Sequence, residues 1–207
     1  MLEILISNKI NYIFFFCSYI LGSIPFGYIF YKINKNDDIR KYGSGNIGAT
    51  NVNRLLGKKF ATLTLFLDFS KTFIPCFFIQ KYFGTELGAV CGIITIIGHM
   101  FPFWLRFRGG KGVASYIGFI LVISWPLCCL FIFIWALTVK VLKYSALGAI
   151  IAIISQLLAF NFILYVQFNL SKLLWIPGEP IEFHFALFIS SLILLKHRKN
   201  IISIIKL

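Results

Sequence analysis

Two short stretches carry residue types that could do chemistry. The first, Gly43-Ser44-Gly45-Asn46-Ile47-Gly48, is followed by Thr50 and Arg54; the second is Arg106-Phe-Arg108-Gly109-Gly110-Lys111-Gly112. Glycines free the backbone to turn successive N–H groups toward one point, Ser, Thr and Asn add donors, and Arg and Lys supply fixed positive charge. Such a combination suits an anion, a phosphate above all. In the first stretch Ser44, Gly45, Asn46 and Thr50 stand as binding residues, with Arg54 placed for a bidentate phosphate contact. In the second, Gly109, Gly110 and Gly112 surround Lys111 in the manner of a phosphate nest. It is not a P-loop, because no Ser or Thr follows the lysine to hold Mg²⁺. The first stretch also matches G-x-G-x-x-G, yet no strand precedes it and no βαβ unit fits, which excludes a dinucleotide site.

The elements that must position these residues are membrane helices. The chain has 207 residues, 59% hydrophobic and 13% charged, far more apolar than a soluble domain. The net charge of +13 comes from 20 Lys plus Arg against 7 Asp plus Glu. These cations flank apolar runs instead of lining one helix face, so they mark cytoplasmic loops and call for no nucleic acid. The five cysteines lie in or beside apolar runs without metal-ligand spacing, so no disulfide framework, metal site or cofactor is called for.

Spans are expected at about Ile10–Ile33, Phe60–Phe83, Leu87–Leu105, Tyr144–Phe168 and Phe183–Leu195. The first is too long for the apolar region of a cleaved signal and fits a retained span. It contains Pro25, which should bend it, with Ser23 alongside. Lys81 to Glu86 reads as a short turn. The run Val113–Val139 is long for one crossing of roughly 20 residues and short for two. Folding it back near Trp125-Pro126 puts every basic cluster on one side and Glu179 and Glu182 on the other. The expectation is an all-α, single-domain, seven-helix bundle, two of its spans short. Its N-terminus lies outside and its C-terminus is cytoplasmic. The loop Asp38–Lys59, the Arg106–Gly112 stretch and a helical tail with His197 and Asn200 then share the cytoplasmic face. Asp68 and Lys71, at i and i+3, can pair within the second span. They form either a structural ion pair or a support for Arg54 or the loop, and His99 could approach the same face.

In order, GSIPFGYI, GSGNIGATNVNR, LDFSK, GHMFPFWLRFRGGKGVA and the late H-R-K-N resemble the bacterial membrane acyl-phosphate:glycerol-3-phosphate acyltransferases over most of the chain. The resemblance implies transfer of an acyl group from acyl phosphate to the sn-1 hydroxyl of glycerol 3-phosphate. The products are lysophosphatidic acid and phosphate, in the first acylation of phospholipid synthesis. It implies a seven-helix bundle in the bacterial inner membrane, membrane lipid around it, and a soluble acyl-phosphate-producing enzyme as a further partner. Ser44, Asn46, Arg54, Lys111, His197 and Asn200 match positions that bind or act on substrate. Of these, Ser44, Arg54, Lys111 and His197 are the catalytic candidates. Lys199 departs from the family's H-R-E-N, which bears on the fold of the tail. Acyl phosphate is already activated, so no covalent enzyme intermediate is required. The general base is either His197 or the donor's own phosphate. A channel or carrier for a small phosphorylated anion would use the same nests, and a non-catalytic scaffold would leave Lys111 and its glycines unused.

Overall fold

A computed structural model describes residues 8–205, with side chains to residue 202. The described residues are helical, with no strand among them, and fall into two compact units that divide after Phe119. Among the described residues, five segments are long and apolar enough to cross a membrane: Lys9–Lys35, Lys58–Phe83, Thr85–Leu105, Trp125–Leu142 and Ser145–Leu170.

The first unit opens with α1 (Lys9–Gly22) and α2 (Phe26–Lys35). The bend expected at Pro25 is an outright break: Ser23 caps α1, Pro25 takes a non-helical conformation, and α2 starts afresh. A proline has no N–H to give, so the chain loses a rung here and restarts most easily beyond it. The stretch expected as an open loop from Asp38 to Lys59 is partly helical. A 3₁₀ turn, Ile39–Lys41, comes first, and after the glycine-rich turn runs α3 (Ala49–Leu56), bounded by Gly48 and Gly57. Val52, Leu55 and Leu56 recur at helical spacing, and Val52 is buried with Tyr31, Ile39, Ile47 and Leu105 in a small core. That core presses the polar stretch against the membrane helices.

α4 (Lys58–Phe83) and α5 (Thr85–Met100) follow, separated by Gly84 alone. The turn expected over Lys81–Glu86 is therefore a single residue. Gly84 has φ 100°, a conformation glycine reaches without cost, and it ends one helix and starts the next. α5 lies so close to α1 that a Cβ at Gly22 would overlap the Thr95 carbonyl, and one at Gly98 the Tyr19 carbonyl. Small residues thus set this contact, as helix packing in lipid favours. A 3₁₀ turn, Phe103–Leu105, leads into the second polar stretch and then α6 (Val113–Ile123). 

Ser124 is extended (φ −155°, ψ 101°), so the long apolar run breaks one residue before Trp125-Pro126, and α7 (Trp125–Leu142) carries that proline in its first turn. In the second unit α7 packs on α8 (Ser145–Leu170) through a tight connection in which Lys143 is left-handed. Gln167 closes the loop after α8, its Nε2 donating to the carbonyls of Leu173 and Ile176. α9 (Pro180–Lys196) starts at a capping box of Glu179 and Glu182 and has 17 residues, ~25 Å at 1.5 Å per residue. It is short for a crossing, as expected. α10 (Arg198–Ile205) forms despite Lys199, which is exposed.

Candidate functional site in the first unit and the tail

The first polar stretch is closed by a side chain the sequence did not single out for this task. Asn51, buried at the start of α3, accepts the Ser44 N–H at 2.9 Å. Its Nδ2 donates to the carbonyls of Asn46 (2.9 Å) and Tyr42 (3.1 Å). Three strands of the turn thus meet on one amide, with Gly43 and Gly45 left-handed (φ 59° and 68°) to allow it. A Cβ at Gly43 would overlap Asn51 Oδ1. Asn46 turns its own Oδ1 back to the Ile47 N–H, and Ile47 is anchored in the small core. Ser44, Gly45, Thr50 and Arg54 remain on the exposed side. Thr50 and Arg54 sit one turn apart on α3, so they face the same way.

A second tie joins the two polar stretches. Asp38 grips the Arg40 guanidinium through both carboxylate oxygens, with Nη2 at 2.6 Å from Oδ2, while Nη1 donates to the Leu105 carbonyl at 3.0 Å. That arginine holds the Asp38 carboxyl below its usual range. Next to it, Lys41 and Tyr42 donate to Asp37 and push its carboxyl well below the carboxylate range. Neither Arg40 nor Asn51 carries a spacing signal: each acts on a carbonyl or an N–H that only the folded turn delivers.

The Arg106–Gly112 stretch folds back on the end of α5. N–H groups of Gly110, Gly109 and Phe107 donate to the carbonyls of His99, Met100 and Pro102. The reversal puts Arg106 and Phe107 at φ 53° and 60°, unusual for residues with a Cβ. Gly112 (φ 90°) then turns the chain into α6. Both polar stretches therefore end with a glycine at the start of a helix, where N–H groups point outward and the helix dipole favours an anion. Lys111, in the second stretch, is half-buried. Burial first, and then the like charge of Arg54, lower its ammonium to about 8. Arg54 and Lys111 thus act on each other as like charges.

Beneath lie the three residues expected as supports. Lys71 Nζ is 2.8 Å from Asp68 Oδ1, 2.9 Å from the His99 Nδ1 and 2.9 Å from the Ile24 carbonyl, with Asp68, Lys71 and His99 buried. Ile24 lies in the break before Pro25, so Lys71 serves a carbonyl that the broken helix leaves open. The partners of Asp68 and Lys71 are thus His99 and Ile24, rather than Arg54.

In the second unit His197 caps α9 and is buried. Its Nδ1 lies 2.8 Å from the Ile193 carbonyl, an acceptor only, so Nδ1 carries the proton. In the neutral ring Nε2 is then the acceptor nitrogen. The Asn200 N–H donates to the His197 carbonyl, and its Nδ2 donates to Tyr144 Oη at 3.0 Å. Tyr144, at the start of α8, is a further residue that sequence reading missed.

A family model described as glycerol-3-phosphate acyltransferase matches residues 12–207. A glycerol-3-phosphate acyltransferase of Wolbachia pipientis is 37% identical over 198 residues, 95% of each chain. One from Ehrlichia canis is 41% identical over 191 residues, covering 91% of this chain and 92% of the relative. A crystal structure of PlsY (YgiH), an integral membrane glycerol 3-phosphate acyltransferase in its glycerol 3-phosphate form, aligns with a TM-score of 0.83 and 35% identity. That alignment covers 95% of this chain and 92% of the other. With most of its length matched in sequence and in fold, this chain belongs to the glycerol-3-phosphate acyltransferase family.

Proposed function

We propose that the protein transfers a fatty acyl group from acyl phosphate to the sn-1 hydroxyl of glycerol 3-phosphate at the cytoplasmic face of a bacterial inner membrane. The observation that carries this is two cations on glycine-rich stretches: Arg54 in the last turn of α3, the helix that Gly48 opens, and the half-buried Lys111 between Gly110 and Gly112, whose ammonium is lowered by burial and by the charge of Arg54. The hydroxyl oxygen attacks the acyl carbonyl carbon, the bond from that carbon to the phosphate oxygen breaks, and phosphate leaves with the electron pair. The hydroxyl proton passes to the departing phosphate or to His197 Nε2. No acyl-enzyme forms. Two phosphates drawn close repel each other, and Arg54 and Lys111 offset that repulsion and hold the reactants in attacking geometry. Ser44, Asn46 and Thr50, with the N–H group of Gly112, orient the phosphates; the expected nest of Gly45, Gly109 and Gly110 N–H groups gives way to turns in which these donate to the Tyr42, Met100 and His99 carbonyls, so those glycines shape the site without donating to it. His197 and Asn200 contribute to substrate binding as the family resemblance assigns.

All parts of the chain serve one acyltransferase domain of seven spans, with α6 and α9 as the short ones, the N-terminus outside and the C-terminus cytoplasmic. A soluble enzyme supplies the acyl phosphate. The test is purified protein in detergent given palmitoyl phosphate and glycerol 3-phosphate. Equimolar lysophosphatidate and phosphate are expected. Uptake of glycerol 3-phosphate into proteoliposomes without acyl transfer would replace the enzyme with a carrier.

A further inference from the structure

The cluster Asp68, Lys71 and His99 reaches the Lys111 stretch through one residue. His99 faces two ways. Its Nδ1 accepts from Lys71, which has three N–H donors and no acceptor. On its other side the imidazole lies directly under Gly110, where a Cβ would overlap the ring. The His99 carbonyl accepts the Gly110 N–H at 3.1 Å. The same Lys71 is fixed by Asp68 and by the Ile24 carbonyl in the break between α1 and α2. A continuous set of short contacts therefore runs from the broken first helix through α4 and α5 to the residue next to Lys111.

We infer that His99 is a positioning residue for Lys111: held by Lys71 and Asp68, it sets the height of Gly110 and so the place where Lys111 meets the glycerol 3-phosphate phosphate. This rests on the reading of Lys111 as a phosphate-holding residue. A buried ion pair alone is weak support for stability, since desolvation cancels much of the attraction. A role in placing the loop explains why a charge cluster is kept at this depth.

The test compares purified wild type, His99→Leu and His99→Asn with palmitoyl phosphate and glycerol 3-phosphate, together with thermal unfolding in the same detergent. Asn places an amide oxygen near where Nδ1 stands and keeps an acceptor for Lys71; Leu does not. Misplacing Lys111 should raise KM for glycerol 3-phosphate by about ten- to a hundred-fold in His99→Leu. KM for the acyl donor should move much less, and His99→Asn should recover most of the affinity. An unchanged glycerol 3-phosphate KM in folded His99→Leu overturns the inference, as does an equal loss for both substrates. A second arm does not depend on the leucine variant. Gly110→Ala pushes a methyl into the imidazole and should raise the same KM; adding His99→Asn, which removes the far side of the ring, should restore part of it. No rescue overturns the inference. Failure of wild type to transfer acyl groups overturns the underlying reading with it, whereas normal wild-type turnover beside unmoved variants overturns the positioning role alone.

Discussion

At the scale of single residues, Lys111 and Asn51 decide most. Lys111 has its ammonium lowered to about 8, first by burial and then by Arg54. A lowered lysine is charged below that value and neutral above it. The free enzyme should therefore lose kcat/KM for glycerol 3-phosphate as pH rises through about 8, and a pH–rate profile reads this. Arg54→Gln removes the like charge, so that limb should shift to higher pH even as overall activity falls. Asn51 makes three hydrogen bonds inside one turn. Asn51→Ala removes the side-chain partner of the Ser44 N–H and of the Asn46 and Tyr42 carbonyls, a loss of about 1 kcal/mol. It should appear as a lower Tm in detergent together with a raised KM for glycerol 3-phosphate. The anion-suited composition around Ser44 and Lys111 was legible from residue types, because glycine, amide and cation act locally. Asn51 was not, since its partners are main-chain groups that converge only once Gly43 and Gly45 adopt positive φ.

At the scale of elements, the connections matter more than the helices. Arg40 ties the 3₁₀ turn Ile39–Lys41 to the carbonyl that ends Phe103–Leu105. Arg40→Ala should uncouple the two polar stretches and raise KM for glycerol 3-phosphate several-fold, with a smaller change in kcat; steady-state kinetics separate the two. Gly84→Val tests the one-residue turn between α4 and α5. Its φ of 100° suits only glycine, so valine should cost about 1–3 kcal/mol, measured as thermal stability with the glycerol 3-phosphate KM little changed. The long apolar helices were legible from hydropathy within a few residues. The break at Ser23–Pro25 looked like a kink in sequence because a proline states only that a rung is lost. Which group takes the freed carbonyl depends on Lys71 arriving from another helix. α3 was hidden inside a polar stretch, although Val52, Leu55 and Leu56 already had helical spacing.

At the scale of the molecule, charge and hydropathy set the class: 20 Lys plus Arg on a chain that is 59% hydrophobic. The proposed topology puts the cations of both polar stretches in the cytoplasm. Single cysteines at Ser44, Arg108 and Lys199, in a background without the five native cysteines, should react with an impermeant maleimide only after the membrane is opened. A cysteine at Glu179 should react in intact cells. The family and its helical fold could be inferred from ordered motifs. The crossing count could not be fixed by hydropathy, because α6 and α9, at 11 and 17 residues, are shorter than a usual span. 

The central claim is that Arg54 and Lys111 hold one substrate phosphate between them. A double-mutant cycle on kcat/KM for glycerol 3-phosphate, with Arg54→Gln, Lys111→Met and both together, tests it most directly. Each single change should cost about 2–5 kcal/mol, and the double variant should fall short of their sum by about 1 kcal/mol or more, the mark of a shared partner. Strict additivity, or either variant turning over as fast as wild type at low substrate, would contradict it.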